Sequence, residues 1–107
     1  MNSMSAAASI IDHLGGETFL AGLGATDFVI DDTHVSFTFA RANPEGVHIV
    51  TIATESHGGF TLSCYGRLAP GTFSAPTLAA EIVSVPENLA ATLGRLTGIE
   101  ALQHRHL

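Results

Sequence analysis

Residues 34–40 read HVSFTFA, with Val35, Phe37 and Phe39 alternating with Ser36, Thr38 and Ala40. A period of two puts every second side chain on one side of an extended backbone, so the run predicts a strand with one apolar face. Two further runs behave similarly. VHIVTIAT at 47–54 is rich in β-branched residues, and FTLSCYGRL at 60–68 alternates through Phe60, Leu62, Cys64 and Leu68. Three such runs in quick succession need an apolar cover on at least one side, which restricts the chain to a sheet packed against something else.

The segments around these runs predict the rest of the sheet and its cover. FVIDDTHV reads as a hairpin with Asp31, Asp32 and Thr33 at its turn. VHIVTIAT presents Val50 and Ile52 on one side and Val47 and Ile49 on the other, the pattern of a central strand. Residues 77–85, TLAAEIVSV, fit a fifth strand or a helical turn, and Ile82, Val83 and Val85 favour the strand. SAAASIIDHL predicts a helix with Ser5 as N-cap, and Ala7, Ile10, Ile11 and Leu14 share one face. Gly15 and Gly16 stop it, and Glu17 to Leu23 forms a second short turn of helix. Near the C-terminus, SVPENLAATLGRLTGIEAL predicts a helix capped near Ser84 or Val85 with Pro86 in its first turn. Leu89, Leu93 and Leu96 form its apolar stripe, and Thr97-Gly98 ends or interrupts it. The expected fold is α+β: a single domain over residues 1–107, with a four- or five-stranded, mostly antiparallel sheet covered on one face by N- and C-terminal helices.

The segment LGGETFLAGLGAT, residues 14–26, holds four glycines. A dinucleotide-binding fingerprint needs its glycines directly after a strand and opening a helix. Here they follow a helix and precede a strand, and no Gly-Lys-Ser/Thr phosphate loop occurs in the chain. The glycines therefore read as turn and close-packing positions. The pattern also resembles a family of small proteins of phages and mobile elements. The matching residues are Leu14, Gly15, Gly16, Phe19, Gly24, Ala25, Phe28, Val35, Phe37, Arg41, Thr97 and Gly98, within roughly residues 10–102. Leu23 and Ile99 depart from it, standing where the family has Thr and Leu. The resemblance implies a phage- or mobile-element-type protein and carries over no catalytic residue.

Charge excludes some function classes. Only 13% of residues are charged and 46% are apolar, and the formal net charge is −6 with four arginines and no lysine. Backbone binding to nucleic acid relies on clustered cations, and Arg41, Arg67, Arg95 and Arg105 are scattered. Direct nucleic-acid binding is accordingly disfavoured. No apolar run reaches the roughly 18 residues of a membrane helix, and MNSMSAAASIIDHLGG lacks the basic start of a signal peptide. A soluble intracellular protein is expected, and the resemblance to phage and mobile-element proteins implies the cytoplasm of a bacterial host cell.

Chemistry-bearing residues are sparse. His104 and His106 make an H-x-H near the C-terminus, a weak metal candidate on what reads as a tail. His13, His34, His48 and His57 are dispersed. Cys64, the single cysteine, falls on the apolar side of its strand, where it behaves as a small hydrophobe. Asp31 and Asp32 could pair for acid–base work, but a hairpin tip makes them turn residues. No catalytic residue and no cofactor is assigned. Tyr65 and Arg67, opposite Leu62 and Cys64, are partner-binding candidates because Tyr and Arg dominate binding hot spots. Arg41, ending its strand, is a third.

Together with the resemblance to phage and mobile-element proteins, these residues lead to the expectation of a non-enzymatic small binding protein that docks on a host protein. An anti-defence inhibitor of the anti-CRISPR kind is the concrete form expected. The alternative is an accessory factor in phage DNA metabolism, binding single strands through Tyr65, Arg41 and Arg67. A small hydrolase or isomerase and a self-assembling structural protein are further alternatives. Edge strands in a chain of low charge also make a homodimer an expectation.

Overall fold

The computed structural model describes residues 6–55, 58–68, 70, 71, 73 and 75–103. The proposed Ser5 cap and His57, His104, Arg105 and His106 lie outside the described residues. Two helices open the described chain, α1 (Ala6–His13) and α2 (Glu17–Gly22). Five strands follow: β1 (Ala25–Ile30), β2 (His34–Phe39), β3 (Ile49–Thr54), β4 (Phe60–Tyr65) and β5 (Thr77–Val83). A short 3-10 turn at Pro86–Asn88 then leads into α3 (Leu89–Thr97) and α4 (Glu100–Gln103). The sheet is an antiparallel meander in the order β1-β2-β3-β4-β5, so each strand pairs with its sequence neighbours. Segment 77–85 is therefore a strand through Val83, with Pro86 opening the helical region that follows.

Alternation settles which side is covered. Val35, Phe37 and Phe39 of β2, Val50 and Ile52 of β3, and Phe60, Leu62 and Cys64 of β4 are all buried. Their register partners agree: Phe37 lies opposite Val50, which lies opposite Cys64. α1 packs over β2 and β3 through Ile10, Ile11 and Leu14, while α2 sits beside β1 with Leu20 inside. α3 closes the cover with Leu89, Ala90 and Leu93, and Leu102 of α4 completes the cluster. Burial of an aliphatic side chain of this size contributes about 1.5–3 kcal/mol, so this single layer holds the fold.

Two expectations need correction. Leu68 was expected to continue the apolar row of β4, but the strand ends at Tyr65 and Leu68 is exposed. The backbone bond from Gly66 N–H to the Pro76 carbonyl leads the chain into its loop instead. Val47 was assigned to the side away from Val50, yet it precedes the strand and is buried in the core. Asn43 holds it there, donating to its carbonyl and accepting from its N–H at 2.8 and 2.9 Å.

The glycine stretch acts on geometry. Gly15, Gly16 and Gly24 all have positive φ. At Gly24 a side chain would also be crowded, since a Cβ there would stand 3.1 Å from the Arg41 Cβ. That close approach lets the Ala40 N–H donate to the Gly24 carbonyl at 2.8 Å, tying the chain leaving α2 to the end of β2.

Candidate functional site

The sheet face opposite the helices has no cover within the described residues. Residues directly paired across an antiparallel sheet share a face, so the register reads out its side chains in three transverse rows. Thr26, Thr38, Ile49, Tyr65 and, across a register shift at Leu78 of β5, Thr77 form the first, and Val29, Ser36, Thr51, Ser63 and Ala80 the second. His34, Ala53, Thr61 and Ile82 form the third. Most are partly exposed, and Ile82 and Val29 stand out at 75% and 56% exposure. In a chain of net charge −6, none of these positions carries Asp, Glu, Lys or Arg. The face is a field of small hydroxyls crossed by apolar side chains.

Local irregularities shape its borders. In β1 the register slips between Thr26 and Val29, and Asp27 has φ of 57°. The extra residue is a β-bulge. It lets Phe28 reach the core side, where its ring lies 5.5 Å from that of Phe37, and it returns Val29 to the open face. At the β1–β2 turn the Asp31 carboxylate accepts from the N–H groups of Thr33 and His34, both at 3.0 Å, and pairs with His34 Nδ1 at 2.9 Å. The Thr33 N–H and then the His34 contacts hold the Asp31 carboxyl below the usual carboxylate range. Asp31 is thus a turn residue, as its position predicted. Glu55, just past β3, accepts a hydrogen bond from the Thr61 hydroxyl and marks another border.

The three sequence candidates do not meet on this face. Tyr65 stands on it, paired with Ile49. Arg67 is exposed but lies two residues beyond the end of β4, outside the strand that was to align it with Tyr65. Arg41 is engaged elsewhere, its guanidinium donating to the Gly22 carbonyl at the end of α2 at 2.9 Å. A stacking platform with Tyr65, Arg41 and Arg67 on one surface is therefore not assembled. What sequence reading missed is the row structure, because the hydroxyls of β2, β3 and β4 become neighbours only through strand pairing.

The remaining chemistry is local. Cys64 is fully buried and unpaired, and burial pushes its thiol up to about 11, with nearby Glu81 adding to the shift. His48 is half-buried with Nδ1 3.3 Å from the Phe39 carbonyl oxygen. Among the described residues no group of three His, Cys, Asp or Glu side chains could hold a metal ion. A shallow depression lined by Asn88, Ala91, Thr92, Arg95 and Gln103 lies on the outer side of α3. Its arginine is committed to Glu81 at 2.6 Å, and that ion pair holds the Glu81 carboxyl below its ordinary value. No helix among the described residues is long and apolar enough to cross a membrane. Comparison with protein-family models, curated proteins and solved structures finds no match for the chain.

Proposed function

We propose that this chain is a non-enzymatic docking module that binds another protein through the open face of its sheet. The observation that carries this reading is that no row position of that face bears a fixed charge in an otherwise acidic chain, the Asp31 and Glu55 carboxylates reaching only its border row. Burying a charge without a partner is costly, whereas small hydroxyls and apolar side chains are desolvated at modest cost. A rigid sheet also lowers the ordering cost of association, because its side chains are already held by cross-strand neighbours. Five strands about 4.8 Å apart and six residues of about 3.4 Å each span roughly 24 by 20 Å, or ~480 Å². A standard interface takes about 800 Å² from each partner. The binding protein would therefore also contact the rim, where Tyr65 and the exposed Arg67 and Leu68 follow one another.

The resemblance to phage and mobile-element proteins gives this module its concrete form, an anti-defence inhibitor docking on a host protein in the bacterial cytoplasm. The test is affinity capture from bacterial lysate with the wild-type chain and Thr51→Glu side by side. Thr51 is central on the open face, so a charge there should abolish capture of a host protein without unfolding the chain. Capture that is equally strong with Thr51→Glu, or no specific capture by the wild type, overturns the reading.

A further inference from the structure

We propose that Phe73 anchors the docking contact by entering an apolar pocket, rimmed by acidic groups, on the protein that covers the open face. This inference rests on the docking reading above and names the chemistry of the partner.

Among the large apolar side chains exposed in the described residues, Leu68, Phe73 and Leu78 fall in and beside the segment that joins β4 to β5. Phe73 is fully exposed. The base of this segment is closed. The Gly66 N–H donates to the Pro76 carbonyl at 2.9 Å, and Pro76 and Leu78 pack over Gly66, where a Cβ would stand 3.3 and 3.6 Å from their side chains. Tyr65 and Thr77, which flank the closure, are paired in the first row of the open face. Gly71, with φ of 82°, turns the chain two residues before Phe73. Loops of this length with close ends are frequent carriers of function. This one starts and finishes at the border of the docking face, so a partner covering the first row reaches it.

Charge and area select the occupant. Between Glu55 and Glu81 the chain has no carboxylate, and the segment GRLAPGTFSAP carries Arg67 as its one charge. In a chain of net charge −6 this is a cationic spot beside an uncharged face, so it complements acidic groups around an apolar pocket. The open face offers ~480 Å² against about 800 Å² for a standard partner surface. A buried aromatic side chain contributes about 150–250 Å², so Phe73 together with the exposed Leu68 closes most of that gap. A lipid surface fits less well. Stable attachment to a membrane takes two signals, such as an inserted apolar group and a polybasic patch, and the single arginine of this segment makes no such patch.

The chain has no tryptophan, so Phe73→Trp places a single fluorescent reporter at this position. The probe is the host protein that the wild-type chain recovers from bacterial lysate and Thr51→Glu does not. Adding it to Phe73→Trp is expected to move the emission to shorter wavelength, as the ring leaves water. Phe73→Ala is expected to stay folded by its circular-dichroism melt and to bind the probe roughly 30-fold more weakly, the loss typical of a hot-spot aromatic. Arg67→Glu is expected to lose about two- to fivefold, as exposed charge pairs do, and less at high salt. Unmoved emission, or full affinity of Phe73→Ala, overturns the anchor and leaves docking through the open face standing. Binding that Arg67→Glu leaves unchanged or tightens overturns the acidic rim. An emission shift on phosphatidylcholine–phosphatidylglycerol vesicles, without one on the probe, overturns the proposal in favour of membrane insertion. A lysate that yields no such protein overturns the docking reading and this inference with it.

Discussion

Cys64 shows how one strand position fixes chemistry. Its thiol lies on the core side of β4, fully buried, and its pKa stands at about 11 against an ordinary 9.0. A group whose folded pKa is raised stabilises the fold fully below the unfolded value and loses that contribution as pH climbs to the folded value. Stability should therefore fall between about pH 9 and pH 11, by about 2–3 kcal/mol if the whole shift is realised. A thiol reagent at pH 8 should leave the native protein unlabelled and react once denaturant is added; rapid native labelling would mean that the core side of β4 is open. Gly98 is equally local. Its φ of 78° ends α3, and a Cβ there would stand 2.7 Å from Pro44. Gly98→Ala should cost about 1–3 kcal/mol, through the left-handed backbone and the displacement of Pro44 together. A melting curve unchanged from wild type would show that Pro44 yields freely.

Among the elements, the β1–β2 hairpin depends on Asp31. The carboxylate caps two backbone N–H groups, and its depressed pKa means that its stabilisation is present above the ordinary carboxylate value and is lost as pH falls below about 3.8. Asp31→Asn keeps an acceptor oxygen and should melt close to wild type, with the acid dependence of this turn removed. Asp31→Ala should melt lower than both. Equal melting of all three would show that the turn forms without the cap. The helices depend instead on buried stripes. Leu93 of α3 is fully buried, and Leu93→Ala should cost about 2–5 kcal/mol. Ile82→Lys on β5 should stay within about 0.5 kcal/mol of wild type in the monomer, as exposed substitutions do. Chemical denaturation of the two variants checks this contrast, and similar losses would mean that the open face is covered at Ile82.

For the whole molecule, one covered and one open sheet face follow from helices of limited reach. α1, α2 and α3 together shield one side of five strands, leaving the described chain 47 Å in its longest extent and 22 Å in its shortest. Fixed charge is held off the centre of the open face: Arg41 lies on the α2 end and Arg95 on Glu81, while Asp31 on His34 and Glu55 on Thr61 touch only its border row. Docking through that face should consequently depend weakly on salt, because no ion pair is at its centre. Affinity of a captured partner measured at low and high ionic strength should differ little. A steep loss with salt would shift the contact to the charged rim.

The alternation in HVSFTFA and FTLSCYGRL, the Asp-Asp-Thr turn and the Thr97-Gly98 helix end were legible without coordinates, because each is a local rule about where a side chain points or which φ a residue tolerates. Segment 77–85 was legible only as a choice between a strand and a helical turn, tipped towards the strand by Ile82, Val83 and Val85. Long-range placement was not. The Asp27 bulge, the diversion of Arg41 to the Gly22 carbonyl, the exit of Leu68 from the sheet and the internal pairing of Glu81 with Arg95 all join residues far apart in the chain or hinge on how neighbouring strands align. Local spacing carries no information about such distances. The sequence alone determined the elements and the apolar side of each; only the tertiary structure decided which polar sides join into one surface.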